Sequence, residues 1–262
     1  MESVWKEVDE TPLVSVIIPT YNCASFIAQA IRSVQKQTYE NWEIIAIDDC
    51  SSDTTRCIIE EFARNDERIK MIILTENRGA AEARNVGLAV ANGNYIAFLD
   101  GDDMWRPEKL MKQLHFMIKK DIGFSFTGYC LIGENAKEMG VHIIPPPVLN
   151  YKELVGNTII GCLTVMLDRR KIGNVQMPNV KPEDTALWLS LLRNGHQAYG
   201  IQEVLADYRI VYDSVSRNKI KAAFRYWKLL REQEKLNPLF AGVYFTRYAL
   251  NAYMKNKRGT SL

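Results

Sequence analysis

Between Leu13 and Trp105 a strand-length apolar run gives way four times to a polar loop, and each loop leads into a segment of helical periodicity. The runs, 13–18, 42–47, 69–74 and 95–99, are rich in β-branched or aromatic residues and apolar on both faces. The segments between and after them, 25–37, 51–64, 80–91 and 107–119, carry their apolar residues on one stripe, as Ile27, Ala30, Ile31 and Val34 do in the first. Alternation of this kind leaves few architectures open. It predicts an α/β, Rossmann-like fold: a mostly parallel sheet flanked by helices, with its loops gathered at the carboxyl ends of the strands. Ligands of open α/β sheets bind at that rim.

Pro19 is expected to end the first strand, because proline donates nothing to a ladder. Past residue 119 the pattern changes. Strands are expected at 124–132 and 159–167, with a loop over 133–147 that closes in three prolines. A helix opens at Pro182-Glu183-Asp184, shows the stripe Ala186, Leu187, Leu191 and Leu192, and stops at Asn194-Gly195. Short strands at 198–201 and 205–211 close the fold. The 262 residues thus divide into an extension over 1–11, one α/β body over 12–216 with halves 12–105 and 106–216, and a helical tail over 217–262 broken near Asn237-Pro238.

A net charge of +2 gives no reason to expect a nucleic-acid partner. The five cysteines are odd in number and scattered, without a Cys-x-x-Cys, which points to reduced thiols, a cytoplasmic location and no disulfide. His115, His142 and His196 are isolated, so no zinc site is expected. The amino terminus is polar and acidic, and no apolar stretch approaches about 20 residues, so neither a signal peptide nor a membrane-spanning helix is expected.

The rim is where acids collect. Asp48 and Asp49 follow the second run, and Asp100, Asp102 and Asp103 follow the fourth. Gly101 lets the chain turn between its neighbours, and Asp100 and Asp102, two apart, can face a hard cation such as Mg²⁺ or Mn²⁺. A solvated turn capping the next helix is the other reading. A carboxylate such as Asp49 accepts N–H groups, and a neutral pyrimidine presents one, although a helix cap is again open. Pro182-Glu183-Asp184 reads by itself as helix initiation, with acids at the positive end of the dipole.

Five stretches taken together go further. Val14-Ser-Val-Ile-Ile-Pro-Thr-Tyr-Asn22, Ile47-Asp-Asp-Cys-Ser-Ser-Asp53, Asn77-Arg-Gly-Ala-Ala-Glu-Ala-Arg-Asn-Val-Gly87, Phe98-Leu-Asp-Gly-Asp-Asp103 and Pro182-Glu-Asp184 stand in the order seen in glycosyltransferase family 2. The chain resembles these inverting enzymes of the GT-A fold over residues 12–215. Asp48-Asp49-Cys50-Ser51 departs from the family's Asp-Asp-Gly-Ser. The Gln-x-x-Arg-Trp motif and membrane helices of processive synthases are absent from this sequence, which favours a single-addition enzyme.

The resemblance implies a UDP-sugar donor held by the 12–105 half and an acceptor held by the 106–216 half. Pro19, Thr20 and Tyr21 would frame the base, with Tyr21 stacked on uracil and Asp49 accepting its imide N–H; Asn77, Gly79 and Arg84 would lie near the nucleotide. Asp102 would bind Mg²⁺ or Mn²⁺, with Asp100 and Gly101 supporting the metal or the ribose. Asp184 would be the general base, with Glu183 supporting it or the acceptor. The tail has eleven Lys and Arg between Arg217 and Arg258 against Glu232 and Glu234, with aromatics interleaved. It is similar to bacterial enzymes that build teichuronic acid or capsule on lipid-linked acceptors. Two expectations attach to the tail: peripheral contact with the anionic inner face of the cell membrane, or a helical pair packed on the domain. A catalytically silent sugar-nucleotide-binding partner of a polysaccharide assembly complex is the alternative function, and the intact acids argue against it.

Overall fold

The structure, a computed structural model, describes residues 11–211 and 219–259, the side chains of Lys219 and of 252–259 excepted. The expected extension, Thr11 apart, and the segment 212–218 lie outside the described residues. Elements β1 (Val14–Thr20), α1 (Ile27–Gln35), β2 (Trp42–Asp48), α2 (Thr55–Asn65), β3 (Ile69–Ile73), α3 (Ala80–Val90) and β4 (Tyr95–Phe98) follow the predicted alternation. β1 pairs in parallel with both β2 and β4, and β2 with β3, giving the spatial order β3-β2-β1-β4. The progression reverses at β1, so a crevice opens beyond the carboxyl ends of β1 and β4. The acids after β4 therefore stand beside the loop after β1.

β1 does not stop at Pro19. Its pairing with β4 ends at Ile17, while its pairing with β2 continues to Thr20. Ile17 accepts from Leu99 on the β4 side, and by alternation the ring nitrogen of Pro19 faces the same side, beyond the end of the β4 pairing. The missing N–H costs no ladder bond there.

The second half adds β5 (Met104–Trp105), α4 (Lys109–Lys120), β6 (Phe124–Ile132), β7 (Glu138–Ile143), β8 (Val148–Leu149), α5 (Tyr151–Leu154), β9 (Met166–Asp168), α6 (Arg169–Ile172), α7 (Glu183–Arg193) and β10 (Ala198–Arg209). The sheet continues past β4 through antiparallel β9, then β6, β10 and β5, with β7 on β6 and β8 on β10. Three expectations are corrected. The loop over 133–147 contains β7, which returns along β6 as a hairpin. The strand expected at 159–167 shrinks to β9, because Cys162–Thr164 form a 3₁₀ turn whose carbonyls serve tertiary partners: Leu163 accepts from the Trp105 indole at 2.8 Å and Thr164 from Gln113 at 2.9 Å. The two short closing strands are one, β10, kept continuous by bulges that shift its register against β6 between Ile201 and Ala206.

Side-chain alternation along the strands sorts the core into two layers. Val16, Ile18, Ile44 and Ala97 face α1 and α4, whereas Ile17, Ile45, Ile47 and Phe98 face the layer containing Trp188 of α7. The tail joins this second layer. α8 (Lys219–Lys228) runs into a π-helical turn at Leu229–Gln233, and α9 (Pro238–Gly259) opens on the proline. Tyr226, Leu229, Leu230 and Ala241 are buried in that core, and Tyr226 stacks on Tyr248 at 4.0 Å. The buried Glu234 carboxylate accepts from Tyr151 at 2.7 Å and Arg193 at 3.1 Å. One face of the tail is thus packed on the domain.

Candidate active site

The loops after β1 and β2 are bound into one wall. Asn22, in the left-handed region at φ 47°, accepts the Ser52 amide at 2.8 Å, and its own amide donates to Ser51 at 3.0 Å. Asp53 accepts the Ala24 amide at 3.1 Å and the Thr55 amide at 2.9 Å. Pro19 and Thr20 lie in the end of β1, and Tyr21 projects into solvent from this wall, 52% exposed. Cys50 takes φ 61°, so this cysteine keeps a left-handed backbone at the position where the family has glycine.

Asp49 is buried, and its two oxygens accept the backbone amides of Arg78 at 2.7 Å and Gly79 at 2.8 Å. Asn77 donates to the Asp49 carbonyl at 3.2 Å, so the acid loop after β2 clamps the turn before α3. Gly79 closes that turn at φ 85°, where a side chain would be strained. Each Asp49 oxygen keeps a second lone pair.

Across the crevice stands Asp100-Gly101-Asp102-Asp103. Gly101 is required for space, not for a left-handed turn: a Cβ there would lie 2.8 Å from the Cys23 sulfur and 3.3 Å from Thr20. Asp102 is pushed up to about 6, first by burial and then by the neighbouring Asp100 charge. Asp103 is driven well above the ordinary carboxylate range by burial and by Asp102. Its Oδ1 accepts the Arg209 amide at 2.8 Å, while Oδ2 finds no hydrogen-bond partner among the described residues. The Arg209 guanidinium bonds the Asp102 carbonyl at 2.6 Å and those of Gly133 and Glu134 at 3.2 and 2.7 Å. Asp103 and Arg209 thereby lock the acid loop to the end of β10. Sequence reasoning gave neither residue a role in the site; a third acid in the run and an arginine at a strand end were the available signals.

Arg84 joins the two sides. It is buried on α3, with one nitrogen 2.5 Å from Asp100 and another 2.9 Å from Glu183 at the start of α7. Burial alone would lower its pKa, but Asp100, Glu183 and Asp184 hold it well above the ordinary value. Arg84 thus lies among the acids. Asp184, beside Glu183, is pushed up to about 6 by burial and by the Glu183 charge, and its Oδ1 accepts its neighbour's amide, Thr185 N, at 2.6 Å. Trp188, packed against Phe98 and Phe124, seats α7 under this group.

The donor set suits a hard divalent cation. Asp100 and Asp102 offer carboxylate oxygens at the rim, and the only cations bonded to the acid loop among the described residues, Arg84 and Arg209, leave the Asp102 carboxylate without a hydrogen-bonded counter-charge. Burial and the Asp100 charge raise its pKa, and a bound dication would oppose both.

A sheet rim with a clamped acid loop on one side, cation-competent acids on the other and a carboxyl group of raised pKa facing them has the layout of a nucleotide-sugar transferase. The chain belongs to glycosyl transferase family 2, whose profile matches residues 15–172. It is 49% identical over 245 residues to TuaG of Bacillus subtilis (strain 168), named for teichuronic acid biosynthesis, spanning 93% of this chain and 97% of that one. It is 40% identical to WfgD of Escherichia coli, a UDP-Glc:alpha-D-GlcNAc-diphosphoundecaprenol beta-1,3-glucosyltransferase, spanning 93% and 95%. Among solved structures, S. aureus TarS 1-349 in complex with UDP-GlcNAc superposes with a TM-score of 0.71 at 17% identity, over 93% of this chain and 73% of that one. Mannosyltransferase PcManGT from Pyrobaculum calidifontis, in complex with GDP-Man and Mn2+, gives 0.65 at 19%, over 97% and 74%. The protein is a glycosyltransferase with the GT-A fold expected from its motifs.

Proposed function

We propose that the chain moves a sugar from a UDP-sugar to a hydroxyl of a lipid-linked glycan, with inversion at the anomeric carbon and Asp184 as the general base. One observation carries the reading: Asp184 has a carboxyl group poised at about 6, on the helix that Arg84 ties through Glu183 to the acids after β4. A base whose pKa lies near the working pH is ionised there yet still basic enough to take a proton. The acceptor oxygen attacks the anomeric carbon from the side opposite UDP, its proton passes to Asp184, and the bond to the diphosphate breaks. Asp49 and Tyr21 hold the uracil in this reading. Asp102 and Asp100 would hold Mg²⁺ or Mn²⁺, whose charge would offset that of the leaving diphosphate.

UDP and the lipid diphosphate acceptor are supported by the names of the Escherichia coli relatives, and the metal by the Mn2+ of the mannosyltransferase. The test is transfer from a panel of nucleotide sugars to a synthetic lipid-diphosphate GlcNAc, with and without Mn²⁺. Turnover of a UDP-sugar to a product of inverted configuration is expected; retention of configuration, or binding without turnover of any donor, contradicts the reading.

A further inference from the structure

The outward face of the tail matches a lipid surface. α9 is apolar on two opposite stripes: Ala241, Tyr244, Phe245 and Tyr248 pack on the core, while Leu239, Phe240, Val243 and Leu250 point to solvent, 76%, 56%, 60% and 58% exposed. A helix apolar all round is ordinarily buried on both sides. α8 adds Ile220 and Phe224, 84% and 68% exposed. Six of the 13 large apolar side chains that are exposed among the described residues thus belong to these two helices.

Charge selects the partner. The tail holds eleven of the chain's 33 basic residues and two of its 31 acids, so the rest of the chain, with 22 basic and 29 acidic residues, is net acidic and the basic excess is confined to the tail. Glu234 is buried against Arg193 and Tyr151, leaving Glu232 as the acid at the tail's surface among the described side chains. Lys228, Lys235 and Arg247 are exposed beside the apolar stripes. No described helix is long and apolar enough to cross a membrane.

We infer that α8 and α9 form a peripheral docking face for an anionic lipid surface, with Leu239, Phe240, Val243 and Leu250 entering the headgroup layer and the flanking lysines and arginines meeting lipid phosphates. The inner stripe fixes the catalytic domain to that surface through Tyr226, Leu230 and Ala241. The inference rests on the exposed stripe and the charge, independently of the identity of donor or acceptor.

The experiment is co-sedimentation of the full chain with vesicles of phosphatidylglycerol and phosphatidylcholine, or of phosphatidylcholine alone, at low and high salt. Wild type is expected to bind the anionic vesicles at least tenfold more tightly than the neutral ones and to be weakened by salt. The exposed-residue variant Leu239→Ser/Val243→Ser/Leu250→Ser is expected to lose at least tenfold of that binding. Its unfolding midpoint and its transfer to a water-soluble acceptor should stay as in wild type, which separates failure here from failure of the proposed reaction. Equal binding by variant and wild type overturns the inference. So does sedimentation showing a wild-type dimer that the same substitutions dissociate without vesicle binding, which would assign the stripe to a second copy of the chain.

Discussion

The acids after β2 and the acids after β4 sit at the same sheet rim, yet they are held in opposite ways. Asp49 has backbone amides on both oxygens, fixed by the fold of the 77–79 turn. Asp100 and Glu183 share one buried arginine, and beside them Asp102 and Asp184 are pushed up to about 6. Asp49 is anchored in the scaffold, with a second lone pair left on each oxygen. The second group is a concentration of negative charge that the fold alone does not neutralise, and in the proposed reaction it is where a cation would bind and a proton would move.

Removing the shared arginine breaks this contrast most strongly. Arg84→Ala leaves Asp100 and Glu183 without their partner, and losing one side of a buried ion pair costs about 3–5 kcal/mol. The unfolding midpoint should drop steeply in a urea titration, and transfer should fall in step. Arg84→Lys should recover only part of both, because a point charge cannot bond two carboxylates on separate elements as a guanidinium fork does.

Much of this was legible in the residues. The apolar runs and the motif order place β1, β2, β4 and the start of α7 within a residue or two of where they stand, because buried parallel strands and amphipathic helices leave strong periodic signals. What failed lies where tertiary contacts outvote local pattern. Residues 159–167 read as a strand, but the carbonyls of Leu163 and Thr164 are claimed by Trp105 and Gln113. β7 was invisible because an exposed edge strand of sequence Glu-Met-Gly-Val-His-Ile carries little alternation. The place of Arg84 near the nucleotide was an expectation from its motif; the bridge it makes across 99 residues to Glu183 adds to that, over a distance no local pattern encodes.

Asp102→Ala should come next in effect, lowering Mn²⁺-supported UDP affinity by at least about 10–100-fold, the loss that outer partners of a metal already cause. Asp100→Ala should lose less, since Asp100 is already engaged by Arg84. Calorimetric titrations of UDP with Mn²⁺ and with a chelator check both; UDP binding indifferent to the cation contradicts the assignment.

On the scaffold side, Asp49→Ala strands the Arg78 and Gly79 amides, at about 1–3 kcal/mol for each if water cannot reach it. Thermal stability and UDP affinity should both fall, and wild type should prefer UDP over GDP. Equal affinity for the two nucleotides in the same titration removes Asp49 and Tyr21 as readers of the base.

The pH dependence of stability tests the second group of acids from another side. Asp102 and Asp184 keep their protons in the folded protein up to about pH 6, whereas in the unfolded chain they release them near 4. The folded state therefore binds more protons between those values, and stability declines as pH rises through that window, with the full penalty present above about 6. Asp102→Asn, which cannot ionise, should show a flatter profile over the same window. A steeper one contradicts the assignment.

The central claim rests on Asp184, and one substitution addresses it directly. Asp184→Asn keeps the shape and the bond to the Thr185 amide while removing the base. Transfer at saturating donor and acceptor should fall by about two to four orders of magnitude, the usual contribution of a positioned base. UDP affinity should stay near wild type and the unfolding midpoint should not fall, and the wild-type rate, which needs the ionised carboxylate, should decline as pH is lowered through about 6. An unchanged rate in the variant, with its fold and UDP binding intact, would contradict the account.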